Sequence, residues 1–426
     1  MTTKLKKALL VGAYNGSQAK QGCQDSLDEL QALGETFGFE EFSIEACPIK
    51  KVDAATYIGS GKLEELRGRM DAEGVDVMVF DEEISPNQQR NIEEILKKPV
   101  IDRAGLIIEV FAQRAQTKEA KLQIESAKIR YELPRLKRLW THLSRQRTGG
   151  GGGGGGGGYL KGEGEKQIEI DRRILDKRLV LVDQEIQEVR AHRAIQRQQR
   201  IRSNVPTFAI VGYTNAGKSS LLNSLTEANV LSEDKLFATL DTTTRRFDLP
   251  NNQSVLLIDT VGFIKKLPHK LIEAFRSTLE ESIYTDILLH VVDGSHPDAL
   301  EHAAESIRVL EEIGAKKKPI ITIINKIDLP HNTEIVEELR YRYPHTVLVS
   351  TVTKQGYDEM FRLMIEMIRS LRTVVDVRIP QSQYHVASEL MKEGRVLQTD
   401  YDENDILMTI EIPRSLEYKA LPYKKE

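Results

Sequence analysis

Residues 208–220 read FAIVGYTNAGKSS, a short apolar run that ends in Gly-x4-Gly-Lys-Ser. Such a stretch leaves the backbone little choice. It must leave a strand, curl so that successive N–H groups point inward at an anion, and enter a helix whose N-terminus faces the same anion. A strand, loop and helix joined this way belong to a sheet with crossover helices, so an α/β fold with a doubly wound parallel sheet is expected. Gly212, Tyr213, Thr214, Asn215, Ala216 and Gly217 then cradle the α- and β-phosphates of a nucleotide. Lys218 neutralises β/γ charge, and Ser219 offers a hydroxyl to Mg2+.

Two further strand ends follow in order. After VLLID comes DTVG, where Asp259 holds Mg2+ through water, Thr260 and Val261 carry the loop, and the Gly262 N–H reaches a γ-phosphate. After IITIIN (320–325) comes Lys326, Ile327 and Asp328. A carboxylate at 328 can accept from both N1–H and the exocyclic amine of guanine; adenine lacks that pair of donors and leaves the carboxylate unsatisfied. Asn325 and Lys326 brace that loop and cover the base. Ser350, Thr351 and Val352 stand where a further guanine-contacting loop belongs; Thr351 replaces the usual Ala there, but the contact is a backbone N–H.

Between the first two motifs lies LFATLDTTTRR (236–246). A Thr hydroxyl here completes the Mg2+ shell only when γ-phosphate is present, which makes Phe237, Ala238, Thr239, Leu240 and Asp241 a switch. Thr239, Thr242, Thr243 and Thr244 all qualify. Thr239 is favoured, because FATL resembles the FTTL of Obg-type GTPases. Phe263 follows Gly262 at the position where a water-orienting Gln often stands, so no catalytic residue is assigned and slow unaided turnover is expected. By contrast IGSGKLEE (58–65) is a decoy, with Thr56 at the first Gly position and Leu63 at the Ser/Thr position.

At 426 residues the chain exceeds one ordinary core, so several domains are expected. We read an N-terminal α/β domain over 1–112, a basic helical hairpin over 113–203, a nucleotide-binding domain over 204–372 and a small α+β domain over 373–426. LLVGAY, FSIEACPI, VDVMVF and PVID read as parallel strands, and Ser85-Pro86 as a helix start. Leu133, Leu136, Leu139, Trp140 and Leu143 share one helical face; Leu175, Leu179, Val182, Ile186 and Val189 form another stripe. Gly149–Gly158 is unbroken glycine between them, expected to be a mobile tip. Cys23 and Cys47 make neither a metal-ligand spacing nor a disulfide framework, which suits a reducing cytoplasm. No apolar run reaches the roughly 18 residues that a membrane span needs.

The net charge is −4, yet it is unevenly spread. Lys128, Arg130, Arg135, Lys137, Arg138, Arg145 and Arg147 face only Glu132 in their segment. From Val189 to Arg202 there are Arg residues and no acid. A basic zone inside an acidic chain points to nucleic-acid phosphates.

Three stretches narrow the reading. FDEEISPNQQRNIEE (80–94), VIDRAGLIIEVFAQRAQTKEAKLQIESAKIRYELPRL (100–136) and KGEGEKQIEIDRR (161–173) resemble the HflX family of GTPases, as does DTVGFIKKLP (259–268). Where that family reads GPGETQLE, this chain has GEGEKQIE, with Glu163 and Lys166 in place of Pro and Thr. The resemblance implies a Mg2+-dependent, monomeric GTPase of the cytoplasm, free or loosely associated with the membrane, that binds the large ribosomal subunit and splits or rescues stalled ribosomes, often under stress. It also implies that the N-terminal and helical domains reach ribosomal RNA. Three other readings compete: an RNA-binding scaffold in which nucleotide is structural, marked by RNA affinity indifferent to GDP or a GTP analogue; another ribosome-assembly GTPase; and an ATP-dependent kinase or helicase, which Asp328→Asn would leave unaffected.

Overall fold

The structure, a computed structural model, describes residues 6–136, 159–202, 205–226, 237, 242–266, 282–315, 318–402 and 404–425. It divides into two compact units. The first takes in 1–189, 233–241 and 263–278; the second takes in 190–232, 242–262 and 279–426.

The first unit is built on four strands, β1 (Lys7–Tyr14), β2 (Glu41–Pro48), β3 (Val77–Phe80) and β4 (Val100–Asp102), in the order β2-β1-β3-β4. All neighbours are parallel. Ala8–Val11 and the whole of β3 are fully buried, as strands covered on both faces must be. Helices α2 (Ser60–Glu73) and α3 (Pro86–Leu96) cover one face, packing Leu63, Leu66, Met70, Ile92 and Leu96 on Leu9, Val11, Met78 and Phe80. Helices α1 (Ala19–Phe37) and α4 (Arg103–Arg114) pack together elsewhere on this sheet. α3 starts as its sequence implies: the Ser85 hydroxyl accepts from the Gln88 N–H, the Gln88 side chain accepts from the Ser85 N–H, and Pro86 fills the first turn. The decoy at 58–65 is the plain start of α2, with Gly59 as its N-cap.

A polar network fills the carboxyl end of this sheet. Arg103 donates to Asp81 Oδ1 at 2.7 Å and to Glu29, and the Ser26 hydroxyl donates to Asp81 Oδ2 at 2.7 Å. Lys266 Nζ lies 2.5 Å from Asp81 Oδ2 and 2.6 Å from Glu82 Oε1. Asp102 accepts from Tyr131 Oη at 2.7 Å and from Arg135 Nη2 at 3.1 Å, while Arg135 lies over the Tyr131 ring. Apart from Ser26 and Glu29, these residues sit in the stretches that carry the family resemblance.

Helix α5 (Lys118–Glu132) is followed by a 3-10 turn, Leu133–Arg135, that contains Pro134. Helix α6 runs from Tyr159 to Arg202. Its stripe holds: Val182 and Ile186 are buried against Leu122 of α5, with Val189 beside them. Three residues of the basic zone have acidic partners. Lys128 meets Glu109 at 2.6 Å, Arg130 meets Asp183 at 2.7 Å, and Arg135 is held by Asp102. Their acids are remote in sequence, so a count of local charge misses them. The remaining basic positions of that segment, Lys137 to Arg147, and the glycine tract lie outside the described residues, as do Leu139, Trp140 and Leu143.

The second unit carries six strands in the order β10-β9-β8-β5-β7-β6. They are β5 (Thr207–Gly212), β6 (Thr243–Asp248), β7 (Ser254–Asp259), β8 (Ile287–Asp293), β9 (Ile320–Asn325) and β10 (Thr346–Leu348). All pairs are parallel except β6 with β7. Chain order reverses at β5, which lies between β7 and β8, and such a reversal opens a crevice at the strands' carboxyl ends. Helix α7 (Lys218–Thr226) follows β5, α8 (Ala299–Glu312) follows β8, α9 (Thr333–Arg342) follows β9 and α10 (Tyr357–Ser370) follows β10. The same unit ends in an antiparallel sheet, β11 (Arg372–Pro380), β13 (Asp405–Pro413) and β12 (Arg395–Asp402), backed by α11 (Tyr384–Glu393).

Candidate nucleotide site

The carboxyl ends of β5, β7 and β9 bring the three motifs together. The phosphate loop leaves β5 in a conformation that only its sequence permits. Gly212 has φ +148° and Gly217 φ +93°. A Cβ on Gly212 would lie 2.2 Å from the Val291 carbonyl oxygen, and one on Gly217 would lie 2.2 Å from Asn325 Nδ2. Asn215, also left-handed, is a residue type that tolerates φ +59°. Ala216 is buried and Thr214 nearly so.

Lys218 is buried, and its Nζ donates to the Tyr213 carbonyl at 2.6 Å, across the loop that it closes. Burial pushes its pKa down to about 8, against a smaller upward pull from Asp259. A lysine held this way is an ammonium with its solvent removed, which a phosphate oxygen would replace. The Ser219 hydroxyl donates to Asp259 Oδ2 at 2.8 Å, and Asp259 is fully buried. This pair offers only oxygen donors, a set that suits a hard cation such as Mg2+. Thr260 does not face the site: its hydroxyl donates to the Ile210 carbonyl at 2.7 Å, tying β7's end to β5. A Cβ on Gly262 would lie 2.8 Å from Lys218 Nζ and 2.9 Å from Thr214 Cγ2, so only glycine brings this backbone so near the phosphate loop.

Asn325 joins the phosphate loop to the base loops. Its Nδ2 donates to the Ala216 carbonyl at 2.9 Å, and its Oδ1 accepts from the Thr351 N–H at 3.2 Å. The Thr351 N–H, expected to meet the base, is thus engaged by Asn325. Ser350 is fully buried; its hydroxyl donates to Asp328 Oδ1 at 2.6 Å and accepts from the Thr353 N–H at 3.1 Å. Asp328 itself is exposed rather than buried, as are Val352 and the residues after it, and Ile327 is half-buried. Lys326 adopts φ +65° and pairs with Asp293 Oδ2 at 2.6 Å. Asp293, at the end of β8, carries no motif; its position ahead of Gly294 on a strand next to β9 is the one signal that marks it.

Phe263 is 1% exposed and belongs to the packed interior, as does Phe237, whose ring centroid lies 4.3 Å from that of Phe111. Ala238, Thr239, Leu240 and Asp241 lie outside the described residues. Thr242 is described but belongs to no helix or strand, and Thr243 and Thr244 are the first residues of β6, opposite Asp259 and Ile258. No helix among the described residues is long and apolar enough to cross a membrane. Both cysteines are free and buried, and burial raises both thiol pKa values, that of Cys47 to about 11.

Three family models match the chain. Residues 24–112 match the GTP-binding GTPase N-terminal model, 114–200 the GTP-binding GTPase middle region, and 207–326 the 50S ribosome-binding GTPase model. The GTPase HflX of Chlamydia pneumoniae is 44% identical over 98% of this chain and 88% of that protein. The GTPase HflX of Escherichia coli is 37% identical over 96% of this chain and 93% of its own length. Among solved structures, a GTP-binding protein from the archaeon Sulfolobus solfataricus in complex with GDP is 27% identical, with a TM-score of 0.44, and covers 86% of this chain and 99% of that one.

Proposed function

The chain belongs to the HflX family of GTPases, and we propose from that premise that it is a GTPase whose nucleotide state governs its hold on the large ribosomal subunit. The observation that carries the nucleotide reading is the pair of hydrogen bonds made by the Asn325 side chain, which ties the phosphate loop to the base loops. Guanine meets Asp328, whose carboxylate the Ser350 hydroxyl orients. Lys218 exchanges the Tyr213 carbonyl for phosphate oxygens. The Gly262 N–H meets the γ-phosphate, and Gly212 to Gly217 supply N–H groups to the α- and β-phosphates.

Ser219 and Asp259 would hold Mg2+, with Thr239 as the switch ligand; the ion, when bound, neutralises charge on the β/γ bridge. Phe263 cannot orient water, so unaided turnover is slow. The large subunit accelerates it by setting the switches, and hydrolysis then ends the ribosome-engaged state. In this cycle the protein separates or rescues stalled ribosomes in the cytoplasm, acting as a monomer. The family match over 207–326 supports the ribosome as partner.

The test is GTP hydrolysis with and without 50S particles, run beside sedimentation of 70S ribosomes. Hydrolysis accelerated by 50S, together with conversion of 70S into subunits by the GTP-loaded protein, is expected. Turnover equally fast without ribosomes would overturn the proposal.

A further inference from the structure

A second constellation lies beside the phosphate loop and takes no part in the nucleotide chemistry above. The turn after β8 and the first turns of α8 carry His296, Asp298 and His302, all half-buried. One ligand-competent atom from each lies within 4.8 Å of the other two. The residues are held in place. The His296 and His302 rings are 4.4 Å apart, and His302 stacks flat on Tyr213, with centroids 3.8 Å apart and 5° between planes.

We propose that His296, Asp298 and His302 form a binding site for a borderline divalent cation of the Zn2+ type. Two imidazoles and one carboxylate are a donor set that such ions take, and an oxygen-seeking Mg2+ does not. A tetrahedral ion about 2.0–2.1 Å from each donor needs donors roughly 3.3 Å apart, so the side chains must close by up to about 1.5 Å from the present 4.8 Å. The half-buried setting leaves room for that adjustment and for a water as fourth ligand.

Binding has one identifiable cost. His296 Nδ1 now accepts from the Asp298 N–H at 3.0 Å. A metal on either ring nitrogen ends that bond, by taking the Nδ1 lone pair directly or by placing the ring's proton on Nδ1 when Nε2 binds. The released N–H is one of the first in α8, where water can meet it. Since His302 stacks on Tyr213, a bound ion also fixes that ring and the phosphate loop beneath it. This coupling rests on the nucleotide reading given above, whereas the metal site does not.

The test uses the tag-free, full-length, nucleotide-free protein titrated with Co2+, then Zn2+. One equivalent of Co2+ with visible ligand-field absorption, displaced by Zn2+, is expected. His296→Ala and His302→Ala should each weaken it by more than about tenfold, while His331→Ala, at an exposed site elsewhere, should not change it. Thermal unfolding without metal verifies that the variants are folded. Absent stoichiometric binding, or binding unchanged in the folded His296→Ala/His302→Ala double variant, overturns the site. Zn2+ should also slow release of a fluorescent GDP in the wild type and not in His302→Ala; an unchanged release rate overturns the coupling alone.

Discussion

The hydroxyl of Ser219 donates to the buried carboxylate of Asp259 at 2.8 Å, joining the start of α7 to the end of β7. With Mg2+ bound, that hydroxyl would be one of its oxygen ligands, and losing such a contact to a charged group costs about 1.5–3 kcal/mol. Ser219→Ala should therefore weaken the Mg2+ dependence of GDP retention by about 10- to 100-fold, measured as nucleotide release across a Mg2+ titration.

Lys218 makes nucleotide binding depend on pH. Its pKa in the ligand-free protein is about 8, against 10.5 for a solvated lysine. Below pH 8 the lysine is charged in both the folded and unfolded chains, and the folded one bears a burial cost of about 3 kcal/mol. Between pH 8 and 10.5 the unfolded chain holds more protons, so stability rises with pH across that window. Phosphate restores the charge. Above pH 8, GDP binding should take up a proton, seen calorimetrically as heats that differ between buffers, and affinity should fall about tenfold per pH unit. Lys218→Met should abolish the proton uptake.

His290 gives a second titration of the same sign in the acid range. It is fully buried between β5 and β9, and neither ring nitrogen has a hydrogen-bond partner among the described residues; the same holds for its cross-strand neighbour Thr322 Oγ1. Burial, aided by Lys218, lowers the His290 pKa to about 4 from 6.5. As pH falls from 6.5 to 4 the unfolded chain gains a proton that the folded one refuses, so stability drops by about 3 kcal/mol. His290→Leu should flatten that slope in urea unfolding and leave stability at pH 7 unchanged or higher by about 1 kcal/mol.

In the first unit, Asp81 should matter for stability far more than Lys266 does. Asp81 is 1% exposed and receives Arg103, Ser26 and Lys266. Asp81→Ala leaves buried Arg103 short of a partner and should cost about 3–5 kcal/mol. The Lys266 side chain is 38% exposed, and Lys266→Ala should cost under about 1 kcal/mol. Urea unfolding of the two variants separates them.

How much of this was legible depended on whether a residue's partner is local. Gly212, Gly217, Lys218, Asp259 and Asn325 stand at the ends of β5, β7 and β9, where their spacing after apolar runs had put them. The strands and helices of the first hundred residues followed from apolar alternation and from the Ser85-Pro86 cap. Asp293 could not be placed that way, since its role depends on β8 lying beside β9. For the same reason Lys128, Arg130 and Arg135 looked like free cations until the fold brought Glu109, Asp183 and Asp102 to them. His296 and His302 escaped notice as well: their convergence depends on the turn into α8, and the Tyr213 stack depends on β5 lying beside β8.

The most direct measurement follows the hydrolysis of XTP and GTP by Asp328→Asn, with and without 50S subunits. An amide at 328 presents a donor where xanthine carries its extra carbonyl, so the variant should lose 50S-stimulated GTP turnover and regain it with XTP. Stimulated GTP hydrolysis that persists in the folded variant, or XTP turnover that the 50S subunit leaves unchanged, would contradict a guanine-reading, ribosome-governed switch.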